Sequence, residues 1–258
     1  MAKALRLERR NNVTLPSPDS LEREALRLEG ATPEEVLRWA LGVYGEGLTL
    51  SASFGNPEGM VLLEMLDRLA RKERAPRVRV FTLDTGFLFE ETVRFREEAM
   101  RRYDLPLEVV RPRLTVAEQV ALYGEELKSC SPDICCQIRK VEPQERALDG
   151  YYAWLTGIRR DQTPYRRDTP VVGWEERFGV AKLAPLASWT SEQVEEYVRE
   201  HEIPLNPLLS IGYRSIGCEP CTRPVAPSED ARAGRWSGTE KTECGLHFVK
   251  GRVSRAVS

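Results

Sequence analysis

Two pairs of cysteines constrain this chain more than any other feature. Cys135 and Cys136 are adjacent, Cys218 and Cys221 bracket Glu219-Pro220, and the stretch from Gln137 to Gly217 lies between the pairs. A hydrophobic core does not need this arrangement, because a buried cysteine serves there as one small apolar residue. Four thiolates brought to one point can hold a structural zinc or an iron–sulfur cluster. Structural zinc ligands usually stand two to four residues apart. Adjacent cysteines splay their side chains and suit a bulky cluster that offers several iron corners, so the spacing favours iron–sulfur over zinc.

Cys244 stands apart, in Glu243-Cys244-Gly245-Leu246-His247. If the four paired thiols ligate metal, Cys244 is a free thiol, and the sequence proposes a metal site and a separate nucleophile. Composition narrows the setting. A formal net charge of −2 gives no overall electrostatic pull towards nucleic acid or membrane. No apolar run approaches the length of a membrane span, and Met1–Leu5 lacks an apolar signal core, so a cytoplasmic location is expected. In that reducing compartment cysteines are metal ligands or catalysts rather than disulfides. With 41% hydrophobic residues the chain can bury a proper core.

The periodicities alternate between strand and helix. Thr32-Pro33-Glu34-Glu35 is a helix start, with an N-cap Thr, a Pro in the first turn and a Glu placed to close a capping box. Leu48–Gly55 reads as a buried strand running into a loop of small and hydroxyl residues, followed by a helix from Pro57. Strand, small-residue loop and helix is how α/β proteins build anion sites, although this loop lacks the ending of a Walker A motif. Val78–Leu83 is a second strand, ending in Asp84-Thr85-Gly86 where ligands of open α/β sheets bind. Leu107–Val110 and Tyr152–Thr156 are further strands. Thr115–Tyr123 and Thr190–His201 read as helices, the latter with a capping box. Asp133–Leu148 reads as one helix, with Arg139-Lys140 one turn beyond Cys136. Those two cations either form a solvated edge or act on a cluster or an anionic substrate. Arg159 and Arg160, in a Gly-led loop after a strand, suit phosphate or sulfate recognition or are surface charge. Val171–Pro185 reads as a hairpin-like excursion. The expected fold is α/β, a mostly parallel sheet with helices on both faces. The expected organisation is an N-terminal arm over 1–30 with a polar helix around Leu21–Leu28, an α/β domain over 31–225, and a flexible tail over 226–258.

Taken together, the motifs resemble those of the assimilatory sulfonucleotide reductases, in particular the bacterial adenylyl-sulfate (APS) reductases that contain a 4Fe–4S cluster. The resemblance rests on Ser51-Ala52-Ser53-Phe54-Gly55, Leu83 through Phe89, Cys135-Cys136 through Pro143, Thr156 through Gln162, Cys218 through Pro224, and Glu243 through His247. It implies a fold like the adenine-nucleotide α-hydrolases. It implies that Cys135, Cys136, Cys218 and Cys221 hold the cluster and that Cys244 is the nucleophile. The reaction it implies converts APS to sulfite and AMP through an S-sulfocysteine, resolved by thioredoxin or glutaredoxin, in assimilatory sulfate reduction. Ser51, Ser53, Gly55 and the turn Leu83-Asp84-Thr85-Gly86 would hold the nucleotide, and Arg159 its anionic groups. Lys140 would sit between cluster and substrate, and Arg232, Arg235 and His247 would provide cations near Cys244. A homo-oligomer is expected, with no nucleic-acid or membrane partner.

The family's cluster-free members use the 3′-phosphorylated nucleotide (PAPS) and lack both cysteine pairs, which favours APS here, with PAPS or dual use as the alternative. The cluster is expected to act electrostatically and structurally, because the thiols alone supply two electrons. The chain departs from the family pattern at Asn56-Pro57-Glu58-Gly59, so no acidic contact is carried over there, and at Pro132, where some relatives have His. Cys130 is left as a spare buried thiol. Two rivals are a tRNA-thiolation enzyme, which would want a Ser-Gly-Gly-x-Asp-Ser type of loop, and a zinc-stabilised nucleotide-binding module, which would have no use for Cys244.

Overall fold

Hydroxyl caps and short apolar runs divide the chain into alternating helices and strands. The computed structural model describes residues 15–239 together with Lys241, Glu243, Gly245 and Leu246. The expected roles of Cys244 and His247, and of residues 1–14, lie outside the described residues, as does the side chain of Cys130. Helix α1 (Pro18–Leu28) is capped by Ser17, and α2 (Pro33–Tyr44) by the reciprocal Thr32/Glu35 box. Strand β1 (Leu48–Ser51) leads to α3 (Pro57–Glu73), β2 (Arg79–Leu83) to α4 (Glu90–Met100), and β3 (Leu107–Val110) to α5 (Val116–Tyr123), which carries a Thr115/Glu118 box. Then come α6 (Leu127–Cys130), α7 (Pro132–Cys136), a π-helical turn (Gln137–Val141) and α8 (Glu142–Ala147). Strand β4 (Ala153–Leu155), the β5–β6 pair (Val172–Glu175 and Val180–Leu183) and α9 (Ser191–Glu200, Thr190/Gln193 box) follow.

The strands form one sheet in the order β3-β2-β1-β4-β6-β5. All neighbours are parallel except the β5–β6 edge pair. Successive strand residues point to opposite faces, and the core divides accordingly. Val80, Ala153, Leu155, Ala181 and Leu183 join the larger cluster with α2, α3 and α4. Their neighbours Phe81, Trp154 and Val180 join a second cluster with Val141, Ala147 and Leu148. Both faces are therefore covered, as a parallel sheet requires. Strand order reverses between β1 and β4, so the loops leaving these two strands diverge and open a crevice at their carboxyl ends.

Three expectations change in detail. The Val171–Pro185 segment is no excursion: β6 pairs in parallel with β4, so the hairpin extends the main sheet. Helix α1 is amphipathic rather than simply polar. Leu21 and Leu28, 1% and 3% exposed, belong to the main core, and the helix lies beside β5. The single helix expected over 133–148 is interrupted by the π turn, which re-aims the side chains on either side of it. Residues up to Trp236 pack onto the domain. Thr222 and Arg235 form a bridge, Arg223 N–H donates to Gly234 O at 3.0 Å, and Trp236 is buried.

The crevice depends on close approach between β4 and α3. A Cβ added at Gly157 would lie 2.8 Å from Glu58 Cβ and 3.2 Å from its carbonyl carbon, whereas one at Gly59 would meet nothing nearer than 3.7 Å. Gly157→Ala is expected to destabilise by about 1–3 kcal/mol through overpacking. Gly59→Ala is expected to be neutral or to stabilise by about 0.5–1 kcal/mol. Urea midpoints of the two variants check the contrast.

Candidate active site

A cavity of about 670 Å³ occupies the crevice at the switch point. The loop after β1 forms one wall. Phe54 takes a left-handed backbone conformation (φ 56°) that residues with a Cβ rarely adopt, and the buried Asn206 amide donates to its carbonyl at 3.1 Å. Ser53 Oγ accepts from Gly55 N–H at 3.4 Å. Ser51, Ser53 and Gly55 all line the cavity, as do Leu83 and Thr85 from the end of β2. Asp84 and Gly86 do not. The Asp84 carboxylate accepts from Gly86 N–H at 3.2 Å and faces Arg111 at 3.2 Å, and Gly86 supplies the positive φ of 74°. Those two residues shape the turn that presents Leu83 and Thr85.

The second cysteine pair is fastened to these same loops. Asn56 grips the backbone of Ile216 at both ends, donating to its carbonyl at 3.2 Å and accepting from its N–H at 3.0 Å. Glu219 N–H donates to Phe87 O at 2.8 Å, and Thr85 Oγ1 lies 3.3 Å from Cys218 Sγ. The first pair arrives on α7. Cys135, Cys136 and Cys218 are buried and Cys221 half-buried, all as free thiols. Burial pushes the Cys135 thiol up and the nearby Cys218 sulfur adds to the rise, offset in part by Gln119, Arg139 and Lys140. Burial likewise raises Cys221, with Cys218 and Cys135 adding to it and Lys140 and Arg235 opposing. Three of the four thiols are thus within electrostatic reach of one another.

That donor set fits a metal centre, since binding as thiolates relieves mutual repulsion in a buried site. Among the described residues no three Cys, His, Asp or Glu side chains converge closely enough for a single ion.

The π turn places its two cations differently. Arg139 is buried and fully engaged, donating to Gln119 Oε1 at 2.6 Å and to the Leu114 and Thr115 carbonyls at 2.9 and 2.7 Å. Lys140 lines the cavity, and its charge acts on Cys135 and Cys221. Arg232 and Arg235 also line the cavity, each 3.5 Å from Ser215 Oγ.

Arg159 also lines the cavity, but two carboxylates hold it. Its Nε donates to Glu58 at 3.1 Å, its Nη1 to Asp161 at 2.6 Å, and its Nη2 to Ser191 Oγ at 3.0 Å. Its guanidinium frames the wall rather than presenting a bare charge. Gln144, one turn beyond Lys140, is buried in the cavity wall, and neither of its amide atoms has a hydrogen-bond partner among the described residues.

Several site residues escaped the sequence reading. Glu58 is buried and accepts from both Arg159 and Gln162. Arg166 lines the cavity and binds Glu243. Glu243 was legible only as the neighbour of a cysteine; its partners lie far away in sequence. Outside the cavity lining, Lys182 is half-buried on the same sheet face as Trp154, over that ring at 5.4 Å, and pairs with Glu175 at 3.2 Å.

The architecture is shared with Candida glabrata FMN adenylyltransferase, a solved structure matched at TM-score 0.57 and 17% identity over 86% of this chain and 71% of that one, a likeness of fold alone. The family follows from the sequence: residues 47–224 match the phosphoadenosine phosphosulfate reductase domain, and the chain belongs to that family. It is similar to a Streptomyces coelicolor protein named adenosine 5′-phosphosulfate reductase, 47% identical over 88% of this chain and 92% of that one. It is equally similar, at 47% identity over 88% and 93%, to a Gloeobacter violaceus protein named phosphoadenosine 5′-phosphosulfate reductase. Among solved structures it matches the phosphoadenylyl-sulfate reductase of Candida auris, in a phosphate complex, at TM-score 0.69 and 30% identity over 83% of this chain and all of that one.

Burial pushes the Glu243 carboxyl up, but the hydrogen bond and charge of Arg166, with the charge of Arg232, outweigh it and hold the group below the usual carboxylate range. A carboxylate depressed in the folded state stabilises fully above its unfolded pKa of about 4.3 and loses that contribution as pH falls through the folded value. Amide-exchange protection of Lys241, Glu243, Gly245 and Leu246 is therefore expected to fall selectively on acidification below about pH 4. In Glu243→Gln it is expected to be low already at neutral pH and insensitive to that step.

Proposed function

We propose that this chain reduces adenosine 5′-phosphosulfate to sulfite and AMP, with Cys244 as the nucleophile. The observation that carries the reading is the convergence at the switch point. One cavity is bounded by a small-residue loop, by the cations Lys140, Arg232 and Arg235, and by Cys218 of the second thiol pair, while the residues on either side of Cys244 in sequence are held against the same domain. The names of the Streptomyces relative and its like support the substrate.

In this scheme the Cys244 thiolate attacks the sulfur of APS. The bond from that sulfur to the phosphate oxygen breaks, AMP leaves, and Cys244 carries an S-sulfo group. A thiolate of a thioredoxin-type dithiol then attacks the Cys244 sulfur, and sulfite departs with the electron pair of the broken sulfur–sulfur bond. The second thiol resolves the mixed disulfide, regenerating Cys244 and leaving an oxidised dithiol. Two electrons move, both from the dithiol.

A free cysteine with a pKa of about 8.5 is mostly protonated at neutral pH, so a cationic surrounding favours the attack. Arg232 and Arg235 provide one, together with charge complementary to sulfate and phosphate. Ser51, Ser53 and Gly55 would hold the nucleotide. Cys135, Cys136, Cys218 and Cys221 would hold a 4Fe–4S cluster, which supplies a fixed electrostatic and structural element rather than electrons. Arg159, already paired, holds the wall that the substrate contacts. The tail must open between half-reactions, because a protein dithiol has to reach a thiol that closes on a small substrate. The Gloeobacter relative's name supports PAPS as the second reading.

Anaerobically purified protein mixed with APS in the absence of reductant is expected to gain the mass of one SO₃ group. The gain should be absent in Cys244→Ser and released by thioredoxin. Parallel incubation with PAPS ranks the nucleotides. No adduct from either nucleotide would reject the reading. Cys218→Ser is expected to lose most of the iron and acid-labile sulfide that the wild-type protein carries; unchanged contents would reject the cluster assignment.

A further inference from the structure

The cavity wall and the tail are joined by one partly buried run of hydrogen bonds. Glu58, at the start of α3, accepts from Gln162 Nε2 at 2.8 Å. Gln162 Oε1 accepts from Arg166 Nη1 and from Arg159 N–H. Arg166 turns its other edge to Glu243 as a two-pronged fork, Nε to Oε1 at 2.8 Å and Nη2 to Oε2 at 2.7 Å. Thr163 Oγ1 donates to the same carboxylate at 3.2 Å, and Arg232 approaches at 3.5 Å. The side chains of Arg166 and Glu243 are 8% and 10% exposed.

This is more than a surface ion pair. Exposed pairs contribute little, whereas a buried, bidentate pair strongly resists removal of one partner because the other is left desolvated and unpaired. Its carboxylate belongs to the residue immediately before Cys244. On the other side, Gly245 O accepts from Arg177 Nη1 at 3.1 Å and Leu246 packs on the second core cluster. The anchors at 243 and 245 belong to different parts of the domain, the loop after β4 and the β5–β6 turn.

We propose that Arg166 is a positioning residue, acting through Glu243 to seat the Cys244-bearing tail against the nucleotide cavity. The proposal rests on the reading of Cys244 as nucleophile. Arg166 acts here on the protein's own carboxylate, and Gln162 ties that contact to Glu58, so the tail's seat and the wall around the nucleotide loop share one set of hydrogen bonds. A thiol held on such a seat meets substrate sulfur at a fixed approach, and small misplacements of a reacting group slow chemistry more than they weaken binding.

The test is a double-mutant cycle on the full-length, anaerobically purified holoprotein with Arg166→Gln, Glu243→Gln and the double variant. At saturating APS each single variant is expected to form the Cys244 adduct at least about tenfold more slowly than wild type. Affinity for AMP should change by less than about threefold, the scale below ~0.7 kcal/mol. The double variant should be no slower than the slower single variant, because both remove one interaction. A second readout needs no turnover. Alkylation of Cys244 by iodoacetamide, followed by peptide mass spectrometry, should be several-fold faster in all three variants than in wild type, with Arg166→Lys intermediate.

Wild-type adduct rates in both single variants, losses that multiply in the double variant, or AMP affinity falling in step with the rate would each overturn the proposal. If the wild-type protein forms no adduct at all, the functional reading fails. The alkylation series then judges the seat alone, and unchanged alkylation across the variants overturns it.

Discussion

The grip of Asn56 on Ile216 is the contact on which the site depends. Its side-chain amide bonds both polar groups of one distant peptide, at 3.2 and 3.0 Å. Asn56 is the N-cap position of α3 yet makes no capping bond to its own helix. A residue type strongly favoured for capping is instead used to pull the segment before Cys218 onto the β1 loop. Gly55 makes the approach feasible, since a Cβ there would lie 3.0 Å from Ile216 Cβ. With Ile216 fixed, Cys218 reaches Thr85, Glu219 pairs with Phe87, and Cys218 lines one side of the cavity.

Charge is arranged in the site by degree of commitment. Arg139 and Arg159 are buried and saturated by partners, so their contribution is to hold walls in place. Lys140, Arg232 and Arg235 reach the cavity itself. Arg166 stands between these groups, with one edge on Gln162 in the wall and the other on the tail carboxylate. A buried pair is poor evidence for stability, yet removal of either partner strands the other as an uncompensated charge. In this site such pairs concentrate in the loop from Gly157 to Arg166.

The fold was legible wherever local chemistry decided it. Thr32, Thr115 and Thr190 each start a helix with an acidic or amide residue three positions on, and each forms the reciprocal cap. Leu107–Val110 has the expected bounds as a strand. The β1 and β2 loops lie at the switch point because strand order places them there, and the Gly and hydroxyl residues announced them. What the sequence hid depends on distant partners. The π turn at Gln137–Val141 has no local signature, so the separate fates of Arg139 and Lys140 could not be read from a regular helix. Arg159 looked like an anion receptor because its carboxylate partner Glu58 is on another helix. Arg166 and Glu243 are unremarkable charges until the fold sets them side by side. The burial of α1 was missed because only two leucines, Leu21 and Leu28, carry it.

The account's central claim is that a tail thiol, separate from the four grouped thiols, takes the sulfur from a nucleotide held in the switch-point cavity before any external dithiol is involved. Rapid-quench measurement of AMP and sulfite after mixing excess protein with APS, without reductant, tests this most directly. The account predicts a burst of AMP approaching one equivalent per bound nucleotide, no sulfite, and stoichiometric sulfite only on later addition of thioredoxin. Simultaneous appearance of AMP and sulfite without a dithiol, or no AMP until the dithiol is added, would contradict it.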